Sequence, residues 1–303
     1  MMRQPDVRRG IPLALCAGTL LGAGAPLSKL LVYRMDPVAL AGALYTGPAI
    51  IVTLALLLGL GRRRQYVPIT RRDVPRLVVT VLTGTIAAPV LLMYGMRISS
   101  GFAGSLMLNM EAVATALIAL AFFGERVSPS IWLAVLCMTL TGILVTGTGG
   151  EGSAPVVGAL LILGSCVAWG IETNVVTTLS SRDPLLITLI ECVPAAMILT
   201  LVGVFRMAGL PPVRDLLLGI LLGSVSNGVG LLLFFVSLRT MGAARTAAFA
   251  GVGPLAGALL SLVLFRTPVT WAALAALGLT AAAVFVVGRD DERRSLAWEA
   301  AER

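Results

Sequence analysis

The sequence predicts an all-α integral membrane protein with ten transmembrane helices arranged as two inverted five-helix repeats. Three observations carry that prediction. The 303 residues are 57% hydrophobic and 13% charged, where a soluble domain is about half apolar and a quarter charged. The apolar residues gather into ten stretches, and a spanning helix needs roughly 20 of them. Features of the first half of the chain recur in the second half at a nearly constant offset. A mean hydropathy of +0.95 excludes a soluble enzyme, a nucleic-acid-binding domain and a disordered chain.

The stretches are 11–32, 37–60, 77–96, 101–123, 130–147, 157–179, 184–205, 216–238, 242–265 and 270–288. Each reads as a helix, because an open sheet cannot satisfy its backbone in lipid and the stretches are too long for barrel strands. The first follows Arg8-Arg9 and passes Gly22-Ala23-Gly24-Ala25, which mimics a signal-peptide cleavage site. It continues through Leu30, Leu31 and Val32, so an uncleaved first span is expected. Trp132 and Trp271 open the fifth and tenth spans as interface anchors. Pro26, Pro48, Pro89, Pro194 and Pro254 lie within spans, where each removes a backbone hydrogen bond and can kink its helix. The pairs Gly219/Gly223 and Gly253/Gly257 have GxxxG spacing and point to close helix packing. The resulting division is an N-terminal segment 1–10, a first repeat 11–147, a linker 148–156, a second repeat 157–288 and a solvated tail 289–303.

Charge orients the chain. With the N-terminus in the cytoplasm, 17 of the 23 Lys and Arg residues fall on the cytoplasmic side, five fall outside, and Lys29 lies within a span. Arg62-Arg63-Arg64, with Arg71, Arg72 and Arg76, contributes most. This bias predicts a multi-pass protein of the cytoplasmic membrane with both termini inside. The formal net charge of +8 is therefore a topology signal facing anionic lipid. No nucleic-acid partner is expected, because no basic and aromatic interleaving occurs.

The repeat is explicit in residues 94–147, which align with 236–289 at an offset of 142: Arg97 with Arg239, Ala112 with Pro254, Val127 with Val269. The second and seventh spans open on Asp36-Pro37 and Asp183-Pro184, and Pro48 and Pro194 follow at matching distances. Five spans per repeat is an odd number, so the second copy enters the membrane from the opposite side. Such inversion is typical of secondary transporters.

The run Ser105-Leu106-Met107-Leu108-Asn109-Met110-Glu111-Ala112-Val113, leading to Phe123-Gly124-Glu125-Arg126, resembles the hallmark of the EamA family of the drug/metabolite transporter superfamily. Gly242-Ala243-Ala244-Arg245, through Gly253-Pro254-Leu255 to Leu264-Phe265, is similar to the matching hallmark of that family's second repeat. The resemblance extends from about residue 11 to 288. It implies export of small metabolites or drugs through a central cavity lined by spans one, three, four, six, eight and nine, with five and ten peripheral. The chain departs from the pattern at Ala112, where the family often has proline, and at Arg266-Thr267, which replace a glycine-glutamate ending. It also lacks the acidic residue that small multidrug relatives carry in their first helix, so proton coupling of that kind is not implied.

Charges inside spans cost a few kcal/mol each and usually mark function. Four occur: Lys29, Glu111, Glu172 and Glu191. Glu111 lies near the middle of span four, sharing a face with Thr115, and reads as a substrate or proton site or as a structural hydrogen bond. Glu172 shares a face with Trp169 and could form one wall of a pocket for a cationic or aromatic group. Snorkelling is the alternative. Glu191 stands at a similar depth to Glu172, and if the two face each other one must stay protonated or find a cation. Lys29 could bind a substrate carboxylate or snorkel to the interface. Tyr45, Tyr94, Asn109, Asn174, Ser226 and Asn227 either orient a ligand or bond helices together. The expected transport residues are thus Glu111, Glu172, Trp169, Lys29, Asn109, Tyr94, Asn227 and Thr115.

The leading function is a secondary transporter that exports a small organic solute by alternating access. A passive facilitator or channel is the alternative, and a membrane-embedded enzyme comes third. There is no histidine, no GxSxG elbow and no GxxxxGK[ST] loop in the chain. The seven aspartates fall at span ends, loops or tails. Cys16, Cys137, Cys166 and Cys192 all lie in apolar segments and read as small hydrophobes. No catalytic residue, cofactor or metal is expected. The partners in view are a small-molecule substrate and membrane lipid, with a homodimer left open.

Overall fold

The computed structural model describes residues 7–59, 66–123, 129–147, 154–207, 209, 211–241, 246, 249–266 and 268–301. Arg62-Arg63-Arg64, the Gly124-Glu125-Arg126 and Gly242-Ala243-Ala244-Arg245 motif ends, Val127, Thr267 and most of the linker lie outside the described residues. The described residues hold helices and connecting turns and no strand. We number the helices α1 (Val7–Leu31), α2 (Pro37–Leu57), α3 (Val74–Ile98), α4 (Gly101–Met107 and Met110–Phe123), α5 (Pro129–Gly147), α6 (Val156–Thr177), α7 (Pro184–Met207), α8 (213–241), α9 (Gly253–Phe265) and α10 (Trp271–Ala301). Seven are long and apolar enough to cross a membrane, namely α1–α4 and α6–α8. The apolar parts of α5, α9 and α10 are shorter: Trp132–Val145, Gly253–Phe265 and Trp271–Val286. α10 runs on beyond its apolar part, through residues 289–301, to Ala301.

Local chemistry sets the helix starts. Asp36 and Asp183 each accept a backbone N–H two residues on, from Val38 and Leu185, both at 2.9 Å. Each is followed by proline, whose missing N–H costs nothing in the first turn. Two of the spans are not regular. α3 contains a π-helical stretch at Val81–Ala87, and α8 contains one at Ser224–Val229. These stretches end 142 residues apart, at the offset of the sequence repeat. The fourth span is also not the continuous helix expected. At Leu108–Asn109 the backbone tightens to three-residue hydrogen bonds, Asn109 N–H to Leu106 O and Glu111 N–H to Leu108 O. The Asn109 side chain adds a third bond, to Leu106 O at 3.2 Å. An asparagine that bonds its own backbone competes with the helix ladder. The Cys166 thiol of α6 sits over the disturbed carbonyls, 3.6 Å from Met107 O and 3.9 Å from Leu108 O.

Packing joins the two halves of the chain intimately. α1 lies mainly against α8 and α9, and α6 lies mainly against α3 and α4. α2 packs on α7, α4 on α9 and α5 on α10. In lipid, burying apolar side chains supplies no driving force, so close backbone approach and interhelical hydrogen bonds hold such helices together. Gly22 meets the Gly253 carbonyl, and Gly257 meets the Gly22 carbonyl, so α1 and α9 run parallel in backbone contact. Gly219 and Gly223 lie on α2 at Ala43 and Leu44. Both GxxxG pairs therefore serve helix packing. α2 and α7 run antiparallel, with Gly42 opposite Thr200 and Gly203 opposite Ala39. α4 and α9 also run antiparallel, with Gly101 opposite Ser261 and Phe265 and Gly257 opposite Ser105. α5 and α10 share the buried hydroxyls of Thr141 and Thr280, 3.5 Å apart. Large apolar side chains such as Phe122 (82% exposed) and Val263 (76% exposed) point away from the protein, as lipid-facing residues do.

Candidate functional site

The π-helical stretch of α3 is the centre of the site. A π turn widens the helix and frees backbone groups from the regular ladder, and such turns recur at functional sites. Here the Tyr45 hydroxyl of α2 donates to Gly84 O at 3.1 Å. The Thr85 hydroxyl donates to Val81 O at 2.9 Å and lies 3.3 Å from Glu191 O on α7. The Glu172 side chain of α6 fills the space over Gly84, where any β-carbon would overlap its carboxyl group. Four helices, α2, α3, α6 and α7, thus converge on one turn.

Two carboxylates belong to this turn: Glu172, whose side chain lies over Gly84, and Glu191, whose carbonyl meets Thr85. The charges that act on Glu172 are Glu191 and Glu111, both acidic. Tyr45 bonds the same turn, and the charges of Glu172 and Glu191 act on it. Glu191 is buried at 6% exposure, and its Oε1 has no hydrogen-bond partner. Among the described residues no Lys or Arg pairs with any of the three. Burying like charges without a counter-ion is unfavourable, so such a cluster favours a cationic guest. Among the described residues no His, Cys, Asp and Glu group has the makings of a metal site.

The structure brings Glu172 and Glu191 to the π turn and adds Tyr45, Gly84 and Thr85, with Trp169 by Tyr45 and Glu111 apart on α4. Glu111 lies in the first turn after the break in α4, where the helix N-terminus favours a negative charge. Thr115 bonds back to Glu111 O at 2.8 Å. Its own carbonyl accepts the Asn174 amide at 3.0 Å, so both residues help tie α4 to α6. Asn109 shapes the α4 break, as described above. Asn227 lies in the π stretch of α8, where Gly24 of α1 faces Ser226 and Asn227. Tyr94 stands apart: its hydroxyl accepts Arg206 Nη2 at 2.7 Å, and Arg206 also pairs with Asp36 at 3.2 Å. Lys29 also stands apart and is only 7% exposed. Its ammonium donates to Met96 O at 2.7 Å, to Ser99 O and to the Tyr33 hydroxyl at 2.9 Å.

Sequence reasoning did not place Gly84 and Thr85. A signal was available: Gly84-Thr85 and Ser226-Asn227 put small or polar residues at the repeat offset inside two otherwise apolar spans.

Two ion pairs fasten the loops. Arg34, after α1, pairs with Asp215 at the start of α8 at 3.6 Å. Arg182, after α6, pairs with Asp73 at the start of α3 at 3.0 Å. Asp73 also accepts the Thr70 N–H at 2.8 Å and the Thr70 hydroxyl at 3.0 Å. The Thr70 backbone bond first, then its hydroxyl and Arg182, hold the Asp73 carboxyl below the usual carboxylate range.

These features define a polytopic membrane transporter, and comparison with known proteins agrees. The EamA-like transporter family matches the chain twice, at residues 8–148 and 156–289, and the chain belongs to that family. The family is part of the drug/metabolite transporter superfamily. An uncharacterized transporter of Methanothermobacter thermautotrophicus is 22% identical over 269 residues, covering 84% of this chain and 78% of that protein. A protein of known crystal structure has the same fold, with a TM-score of 0.66 at 17% identity, over 92% of this chain and 95% of the other.

Proposed function

We propose that this protein is a secondary transporter that exports a small organic metabolite or drug across the cytoplasmic membrane by alternating access. Its two halves are inverted five-helix repeats, and both termini face the cytoplasm. Several observations support the inversion. The family matches twice in tandem, matching helices α2 and α7 pack antiparallel, as do α4 and α9, and α3 and α8 carry π stretches at the repeat offset. The single observation that carries the transport reading is the carboxylate cluster of Glu111, Glu172 and Glu191. Glu172 and Glu191 lie where α2, α3, α6 and α7 meet, Glu111 stands on α4, and among the described residues no Lys or Arg pairs with any of them. A soluble-facing scaffold has no reason to bury such a group, whereas a site that must bind and release a solute does. Acidic groups beside aromatic faces suit a cationic or aromatic solute.

Export profiling tests this. Cells overexpressing the protein should lose one or a few intracellular solutes relative to cells carrying empty vector. Glu172→Gln and Glu111→Gln should restore those solutes while the protein remains in the membrane. Normal export by both variants would remove the site assignment. An imposed proton gradient that leaves the rate unchanged in vesicles would favour a passive facilitator.

A further inference from the structure

The two three-helix groups, α1 with α8 and α9, and α6 with α3 and α4, touch each other unevenly along their length. At one end the first half of α4 and the last half of α9 are closed together: Gly101 through Met107 are all buried, as are Gly257, Ala258 and Ser261. Beyond the α4 break burial is less uniform, although Val113, Ala114 and Ala119 stay buried. Glu111, Thr115 and Ala116 are half-buried, and Ala112, Thr173 and Thr177 are exposed. Lys29 lies at the closed end. Its ammonium reaches from α1 in one group to the last carbonyls of α3 in the other. Tyr33 follows the same path, donating to Arg97 O at 2.8 Å, with the ammonium 4.9 Å from its ring centre.

A helix C-terminus ends in unpaired carbonyls and a partial negative charge, which a cation satisfies well. Usually the cation belongs to the same helix. Here it belongs to the opposite group, so the cap exists only while the two groups are together. When they part, water can take over both the carbonyls and the ammonium, so the exchange is close to balanced and the contact can be made and broken. At the opposite end the cross-group contact is of another kind: Arg239 of α8 donates to the Tyr66 hydroxyl, ahead of α3, at 3.4 Å. The position 148 residues on from Lys29, the spacing that relates Arg34 to Arg182, is Thr177. Its hydroxyl bonds back to Thr173 O at 2.8 Å, within its own helix.

We infer that Lys29, with Tyr33, is the gate at this end of the transport path: it caps α3 across the group boundary in the closed state and releases it to open. This rests on the transport reading above, and the orientation proposed there makes this the outer gate. The structure then represents the state closed at the Lys29 end.

The test needs no known substrate. In a background with Cys16, Cys137, Cys166 and Cys192 replaced by alanine, Ala112→Cys, exposed just beyond the α4 break, reports access. A membrane-impermeant maleimide is applied separately to each face of membrane vesicles. With Lys29 present, labelling should come mainly from the face opposite Lys29. Lys29→Met should raise labelling from the Lys29 face several-fold and lower it from the other, and Lys29→Arg should restore the original bias. Where Lys29→Met is poorly folded, Tyr33→Phe supplies a second arm, since it removes the hydroxyl that bonds Lys29 and Arg97 O. It should shift labelling toward the Lys29 face in the same sense, by less. Unchanged sidedness in folded Lys29→Met, or in folded Tyr33→Phe, overturns the gate. Equal gains on both faces also overturn it, since they mark a purely structural role. Because the readout is accessibility, a gate that fails while a solute is still exported leaves the transport reading standing.

Discussion

The groups α1–α8–α9 and α6–α3–α4 are built alike and furnished differently. Each joins the first helix of one repeat to the third and fourth of the other. Each is fastened by an arginine after that first helix and an aspartate at the start of the third, and each has a π stretch against the first helix. The side chains differ. In one group Gly84 makes room for Glu172; in the other Gly24 makes room for Ser226 and Asn227. One ion pair is enclosed, with side chains 14% and 3% exposed, while the other is open on its arginine side at 55%. The backbone carries the symmetry, and the chemistry is placed on one side of it.

That comparison can be broken in several ways. The largest effect is expected from Gly22→Leu, which forces a side chain into the Gly253 carbonyl. It should cost about 3 kcal/mol, as severe overpacking does, and should abolish monodisperse protein in detergent chromatography. Gly170→Ala, at the corresponding contact of α6 on α4, meets Thr115 N at 3.0 Å and should be milder. Next, Glu172→Gln should slow export at least about tenfold, the effect of losing one charged interaction, while Asn227→Ala should slow it less; equal effects would mean that both π stretches carry the solute. Among the ion pairs, Asp73→Asn should lower the midpoint of thermal unfolding by several degrees and Asp215→Asn by less, since exposed pairs contribute little. The smallest effect is in pH. The folded Asp73 value is lowered, so its contribution is fully present above the unfolded value of about 3.9 and fades only as pH falls through the lowered one. The stability gap between wild type and Asp73→Asn should therefore hold from neutrality to about pH 4 and close in stronger acid.

Much of this was legible in one chain. Asp36-Pro37 and Asp183-Pro184 announced two helix starts, and the structure gives both the same 2.9 Å cap. The 142-residue offset located the π stretches without revealing them, because a π turn is a choice of hydrogen-bond register that neighbouring helices decide. Glu172 and Trp169 could be put on one face by counting. That Gly84 would be the surface beneath them could not, since it lies on another helix. Lys29 was the hardest to read. Position along a span shows how deep a cation lies, and only the neighbouring helix end shows what it binds.

The borrowed first helices also have a consequence for synthesis. α6 finds its partners already made: Cys166 reaches back 59 residues to Met107. α1 must wait, since Ser237, which bonds Gly10 O at 3.0 Å, lies 227 residues ahead of it. α1 is therefore housed only after helices made long after it, and its glycine face stays uncovered in the nascent chain until α8 and α9 arrive.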